Sequence, residues 1–143
     1  MAIPEPAGRR GRRLTHLVLR LLAAAGLAVD ALVHVRIADQ YDAVGDSITQ
    51  GTLFRAEAAV ASLAVVLVLL WRHRSGDVFA WAVAASGLGA LLLYRYVDVG
   101  ALGPLPNMHE PVWFGDKTFA AWAEGVATAA LTVLLLDSLR RRI

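Results

Sequence analysis

Four long apolar stretches dominate the pattern of hydrophobic and polar positions along the chain. They cover about residues 14–37, 53–71, 78–97 and 118–136, and charged or turn-forming residues bound each of them. The hydrocarbon core of a bilayer is about 30 Å thick, so a helix needs roughly 20 predominantly apolar residues to cross it. The pattern therefore predicts an all-α, up-down-up-down bundle of four transmembrane helices within residues 14–137. Basic segments flank it at 1–13 and 138–143.

Arginine is distributed unevenly among the segments that connect these stretches. It is concentrated before the first stretch, between the second and third, and after the fourth: Arg9, Arg10, Arg12, Arg13, Arg72, Arg74, Arg140, Arg141 and Arg142. The other two connections carry aspartate and glutamate. Because basic loops stay on the cytoplasmic side, both termini are predicted to be cytoplasmic. Such arginines contact anionic lipid, so we expect no nucleic-acid partner despite a pI near 9.5.

Composition supports a membrane protein and excludes several functional classes. Hydrophobic residues make up 57 % of the chain and charged residues 18 %, whereas soluble domains have about 25 % charged residues. The absence of cysteine excludes disulfide chemistry and thiolate metal sites. Haem ligation by two histidines is not expected, since His16 and His34 share one span and the other two histidines lie in connections. Common hydrolase motifs are also absent, and we expect no enzymatic activity.

Ionisable residues inside the apolar stretches gather toward one end of the predicted bundle, the outer end. Asp30 and His34 are four residues apart and therefore on one helical face. Glu57 begins the second span, Arg95 ends the third, and Glu124 lies about two turns into the fourth. Small residues share the helical stripes of these acids, so the stripes are predicted to face the bundle interior.

Three interpretations of this polar cluster stay open from the sequence. In the favoured one, arginines and His34 neutralise Asp30, Glu57 and Glu124 in a structural ion-pair network, and the protein is an accessory, assembly or interaction subunit. In the second, Asp30, His34, Glu57 and Glu124 bind a divalent metal ion. In the third, the cluster forms a proton-coupled or ligand-binding cavity that opens to the outside.

The connection between the third and fourth stretches has a distinct composition. Three prolines restrict its backbone, and it contains His109, Glu110 and the interfacial aromatic Trp113. It is interpreted as a stiff connector or, alternatively, as a lid that brings His109 and Glu110 to the cluster. The first acidic connection lacks the residue order of a calcium loop and is expected to be solvated.

Two segments resemble a known group of proteins. DALVHVRIADQYDAVGDSITQGTLFRAEA and YRYVDVGALGPLPNMHEPVWFGDK resemble small uncharacterised four-span membrane proteins of actinobacteria. The resemblance implies a plasma-membrane location and no particular activity. Size, span number and Arg20 early in the first span are also similar to DoxX-like membrane proteins. The expected partners are the lipid bilayer and a second copy of the chain or another membrane protein.

Overall fold

The computed structural model describes residues 7–143, and this part of the chain contains four α-helices and no β-strand. The helices are α1 (Ala7–Ala38), α2 (Gln50–Val66), α3 (Arg74–Tyr96) and α4 (Gly115–Arg140). A π-helical turn, Leu67–Trp71, extends α2. The predicted all-α four-helix bundle is confirmed. Residues 1–6 of the predicted basic segment lie outside the described residues.

Each predicted span lies almost entirely within one helix, and all four helices are long and apolar enough to cross a membrane. Both connections at 39–49 and 97–114 lie at one end of the bundle, which we call the long-loop end. The other end, which we call the basic end, contains residues 7–13, the turn at 72–73 and the end of α4. It carries the arginine clusters.

Small side chains fill the interior of the bundle, and large apolar side chains cover its outside. Thirteen of the twenty buried hydrophobic residues are alanine, and α1 packs along both α2 and α4. The most exposed large apolar residues on the helix surfaces are Leu14, Leu32, Leu70, Tyr96, Phe119 and Trp122. Soluble monomers rarely expose apolar surface of this extent. The distribution agrees with four helices that are long and apolar enough to cross a membrane.

Gly26 allows α1 and α4 to approach closely. A Cβ atom at Gly26 would lie 2.5 Å from the carbonyl oxygen of Ala123 and 3.1 Å from Cβ of Ala127. Asp30 is one helical turn further along α1, so this approach brings it beside Glu124. A neighbouring series of small residues on α4, Ala121, Gly125 and Ala129, was also expected on a packed face. It is not in a helix contact, because a Cβ at Gly125 would meet nothing within 4 Å.

A buried ion pair joins three helices near the basic end. Arg20 is 9 % exposed, and its Nη1 and Nη2 atoms donate to Oδ1 and Oδ2 of Asp77, both at 2.8 Å. Arg20 Nη1 also donates to the carbonyl oxygen of Val68, at 3.0 Å, in the π-helical turn. From its position near the end of the first predicted span, Arg20 is expected to extend to the membrane surface, and this expectation is wrong. Its side chain turns inward because α3 places a buried carboxylate within reach.

We predict that Arg20→Met lowers the free energy of unfolding by about 3–5 kcal/mol, because it leaves the Asp77 carboxylate buried without its partner. Denaturant unfolding in detergent micelles, followed by circular dichroism, measures this change. The double variant Arg20→Met/Asp77→Leu has no buried charge and should regain most of the loss. Arg36→Met, at an exposed position of the same helix, is the control. Losses that simply add in the double variant would show that the pair is not coupled.

Candidate functional site

The polar cluster lies inside the bundle toward the long-loop end. Asp30 on α1 is 0 % exposed and Glu124 on α4 is 1 % exposed, so both carboxyl groups are shielded from the surroundings. His34 lies one turn beyond Asp30 on the same face of α1, and its side chain is 12 % exposed. The i, i+4 spacing and the close approach of the helices at Gly26 account for the position of all three groups.

Asp30, His34 and Glu124 form a compact set of potential ligands. One ligand atom from each residue lies within 4.8 Å of the other two. His34 Nδ1 is 2.8 Å from Asp30 Oδ1 and 3.0 Å from the carbonyl oxygen of Asp30. Three of the four predicted metal ligands are therefore brought together by two helices that are not adjacent in sequence.

Glu57 on α2 lies beside this set but outside it. A Cβ atom at Gly87 would be 2.5 Å from Glu124 Oε1 and 3.4 Å from Glu57 Oε1, so both oxygens face the space left by this glycine of α3. Gly87 therefore makes room for two carboxylates between α2 and α4. It is a part of the site that the sequence analysis missed. In the sequence, Gly87 is distinguished only as a glycine in an otherwise apolar span, at the same depth as the acids.

The buried carboxylate oxygens lack donors. Both oxygens of Asp30, both of Glu124 and Oε1 of Glu57 make no hydrogen bond that meets the usual geometric limits within residues 7–143. The 2.8 Å approach of His34 to Asp30 satisfies a distance limit only. Buried polar atoms in native proteins are almost always hydrogen-bonded, so a group of five such oxygens is a place where protons or a cation can be bound.

The arginines expected to neutralise the cluster have other partners. Arg55 extends away to the first connection, where it pairs with Asp39 at 2.6 Å and Asp42 at 2.7 Å. The Arg95 guanidinium lies over the Trp113 ring, 4.2 Å from its centroid. Within the described residues no arginine pairs with the cluster, so of the predicted ion-pair network only the pair of His34 with Asp30 is present. Both arginines lie near the ends of their helices, where loop residues offer partners that do not require burial of a charge.

A cavity of about 430 Å³ reaches the cluster from the long-loop end. His34, Glu57 and Gly87 contribute to its wall, together with Arg95 and Trp113. Most other lining residues are apolar: Val33, Ile37, Leu53, Phe54, Val60, Leu91 and Ala120. Asp30 and Glu124 do not line it and therefore lie behind His34 and Glu57. The volume is that of a typical small-molecule site, although at its lower end.

The second connection covers part of this cavity. The Glu110 carboxylate accepts a hydrogen bond from Tyr41 Oη at 2.9 Å and forms an ion pair with Lys117. The Glu110 amide donates to the Tyr94 carbonyl oxygen at 3.0 Å, and His109 Nδ1 lies 2.8 Å from the same oxygen. Glu110 thus lines the cavity as a fixed wall, whereas His109 is held against the end of α3 and does not line it.

The two connections are also ordered internally and linked to each other. Gln50 Nε2 donates to the Asn107 carbonyl oxygen at 2.9 Å. The Gly100 amide and the Asn107 side chain both donate to Asp98, and this lowers the pKa of the Asp98 carboxyl. The Arg55 guanidinium likewise lowers the pKa of Asp42. Asp39 and Asp42 of the first connection are therefore ion-pair partners of Arg55.

Comparison of the chain with protein-family models, with curated proteins and with solved structures found no match. The geometry of the site is therefore the basis on which a function can be proposed.

We predict that Glu110→Gln loosens the second connection, because the neutral amide loses its ion pair with Lys117 and accepts a weaker hydrogen bond from Tyr41. A loss of about 1 kcal/mol would speed amide exchange of residues 97–114 roughly fivefold. Hydrogen–deuterium exchange with peptide-level mass spectrometry measures this rate. Asp116→Asn is the control, because it removes the same charge near the start of α4. The Asp116 side chain has no hydrogen bond or ion pair in the described chain, so the exchange rate of residues 97–114 should change little. Equal acceleration in both variants would contradict a specific role for Glu110.

Proposed function

We propose that this chain is a multi-pass membrane protein that binds a divalent metal ion, with Asp30, His34 and Glu124 as ligands and Glu57 beside them. The observation that supports the proposal is the set of buried carboxylate oxygens without donors around one imidazole. It is a binding function, and no group in the site is assigned a catalytic step.

Charge balance favours a cation over an empty cluster. Three carboxylates in an apolar bundle would be very costly if more than one of them were ionised without a counter-charge. His34 can compensate one carboxylate, but the described residues supply no arginine for the others, because Arg55 and Arg95 have partners elsewhere. A divalent ion would neutralise two carboxylates at once and would also occupy their unsatisfied lone pairs.

The ligand types limit the choice of metal. Carboxylate oxygen and imidazole nitrogen suit Mn²⁺, Fe²⁺, Co²⁺ and Zn²⁺, whereas an oxygen-only set would favour Mg²⁺ or Ca²⁺. Ligands from facing helices are the usual construction of metal sites in helical bundles. Asp30 next to His34 would also orient the imidazole, as carboxylates do for ligating histidines in other metal sites.

The same proposal places the protein in the plasma membrane with both termini in the cytoplasm. The concentration of arginine at the basic end supports this orientation under the positive-inside rule. The cavity and the cluster would then open toward the outside of the cell. The lipid bilayer is the partner that the apolar outer surface of the helices supports.

Elemental analysis of protein purified in mild detergent and dialysed against Mn²⁺, Fe²⁺, Co²⁺ or Zn²⁺ tests the proposal. We expect about one equivalent of metal in the wild type and less than a tenth of that in His34→Ala or Glu124→Gln, because each substitution removes one ligand atom. Circular dichroism and gel filtration establish that the variants are folded. A wild type that retains no metal with any of the four ions would contradict the proposal.

Two glycines of α3 provide a matched pair of variants. Gly87→Ala would place a methyl group 2.5 Å from Glu124 Oε1 and should displace this carboxylate and weaken metal binding at least tenfold. Gly89→Ala adds the same methyl group where nothing lies within 4 Å and should bind metal like the wild type. Similar metal content in the two variants would exclude Glu124 as a ligand.

A second candidate function is the binding of a small, mainly apolar molecule with a cationic group. The cavity of about 430 Å³ supports it, because its wall is mostly apolar and exposes Glu57 near His34. A protonated amine at Glu57 would compensate one carboxylate, while the apolar part of the molecule would replace lipid or water in the cavity. Arg95 would disfavour a second positive charge at the other side of the wall.

A fluorescence titration with a hydrophobic tertiary amine tests this second function, since Trp113 lines the cavity and should report on a molecule bound there. We expect saturable quenching that Ala90→Phe abolishes by filling the cavity. Ala82→Phe, at an exposed position of α3 outside the cavity, should leave the quenching unchanged. Quenching that persists in Trp113→Phe would come from the other tryptophans and would contradict binding in this cavity.

A further inference from the structure

A second concave site lies at the basic end of the bundle, at the opposite end of the protein from the polar cluster. Its volume is about 740 Å³, and five arginines line it together with His16 and Leu17: Arg9, Arg12, Arg13, Arg72 and Arg141. These arginines come from three separate parts of the chain, namely the start of α1, the turn between α2 and α3, and the end of α4. The fold therefore assembles the concavity, and no local run of sequence does so.

Among residues 7–143, the arginines around this concavity outnumber the carboxylates. Asp137 is the acidic residue of this part of the chain that contacts it, through His16 Nε2 at 2.7 Å, Arg141 Nη2 at 3.2 Å and Arg12 Nη2 at 3.5 Å. Arg9 and Arg72 make no ion pair within the same residues. The excess positive charge is held at an exposed position, where it can attract an anion without a large desolvation cost.

The backbone at the turn between α2 and α3 directs one of these arginines. Arg72 has φ 51°, ψ 29°, the left-handed conformation, and its amide donates to the Leu67 carbonyl oxygen at 2.9 Å to end the π-helical turn. The Trp71 ring stacks on the His73 ring, with centroids 5.4 Å apart. Non-glycine residues rarely adopt this conformation, so the position of Arg72 at the concavity is built into the end of α2.

An apolar track leads from the concavity along α1 toward the middle of the bundle. Leu17 lines the concavity and is 45 % exposed, and Leu21, one turn further, is 52 % exposed. Val18, beside them, is 47 % exposed. A ligand with a negatively charged head and an apolar tail would match this arrangement of arginines at the surface and exposed aliphatic side chains below them.

We propose that this concavity binds the phosphate headgroup of an anionic phospholipid, with Arg72 and Arg141 as its main phosphate contacts and the acyl chains along Leu17 and Leu21. Guanidinium groups bind phosphate through two parallel hydrogen bonds, which a single ammonium group cannot reproduce. Basic pockets between transmembrane helices are known to bind acidic lipid headgroups. This inference is independent of the metal site and of the cavity at the long-loop end.

Binding of phosphatidylglycerol to delipidated protein in micelles of a non-ionic detergent tests the proposal, with phosphatidylcholine of the same acyl chains as the neutral comparison. Native mass spectrometry counts the bound lipids and gives their affinity. We expect one phosphatidylglycerol to bind the wild type at least tenfold more tightly than phosphatidylcholine. Equal retention of the two lipids would overturn the proposal.

A pair of double variants separates this site from a general effect of charge. Arg72→Asn/Arg141→Gln removes two arginines of the concavity and should reduce phosphatidylglycerol affinity about tenfold or more, and asparagine tolerates the left-handed backbone at position 72. Arg10→Gln/Arg140→Gln removes the same charge from neighbouring positions that do not line the concavity and should lower affinity less than about twofold. Equal losses in both variants would overturn the assignment.

Free phosphate distinguishes a lipid site from a simple anion site. We expect 10 mM inorganic phosphate to displace little phosphatidylglycerol, because the acyl chains along α1 add to the affinity. Full displacement by phosphate would overturn the role of the apolar track and identify a site for soluble anions. Should Arg72→Asn/Arg141→Gln fail to fold, Arg72→Lys/Arg141→Lys replaces it, because this variant keeps the positive charge. A phosphatidylglycerol affinity equal to that of the wild type would then contradict phosphate contacts through paired guanidinium hydrogen bonds.

Discussion

The structure depends on how charge is accommodated inside an apolar bundle of small side chains. Near the basic end the protein supplies both charges itself, since Arg20 and Asp77 pair through two hydrogen bonds of 2.8 Å. Toward the long-loop end it supplies carboxylates and one imidazole and directs its arginines to the loops. The first arrangement is complete in itself and stabilises the fold. The second leaves carboxylate oxygens without donors within residues 7–143, and the metal-binding proposal rests on that difference.

Packing and chemistry are linked through the small residues. Gly26 sets the distance between α1 and α4, and Gly87 leaves the space that the oxygens of Glu57 and Glu124 face. Alanine fills most of the remaining interior, so the helices lie close enough for side chains of different helices to share one site. A larger residue at Gly26 would force α1 away from the α4 backbone, whereas one at Gly87 would first displace the Glu124 carboxylate.

The sequence predicted the four helices and most of the cluster, because both depend on local rules. Helix length and hydropathy located the spans, and the i, i+4 spacing placed Asp30 and His34 on one face. The ion-pair partners could not be predicted, because they depend on helix rotation. Arg20 and Arg95 differ little in sequence context, yet one faces a buried carboxylate and the other an aromatic ring. The position of Glu110 over the cavity could not be predicted either, because it depends on the path of a loop and hydropathy does not encode that path.

The location of the cluster on the first and last helices has a consequence for biosynthesis. In the proposed membrane location, Asp30 is translated and inserted long before Glu124, so α1 enters the bilayer while its acid has no partner from α4. The carboxylate and His34 can compensate each other only in part during this interval. The cluster forms only when the final helix arrives, so its assembly follows the synthesis of α4. A truncated chain that lacks α4 would expose its defect at Asp30, where cellular quality control of membrane proteins could detect it.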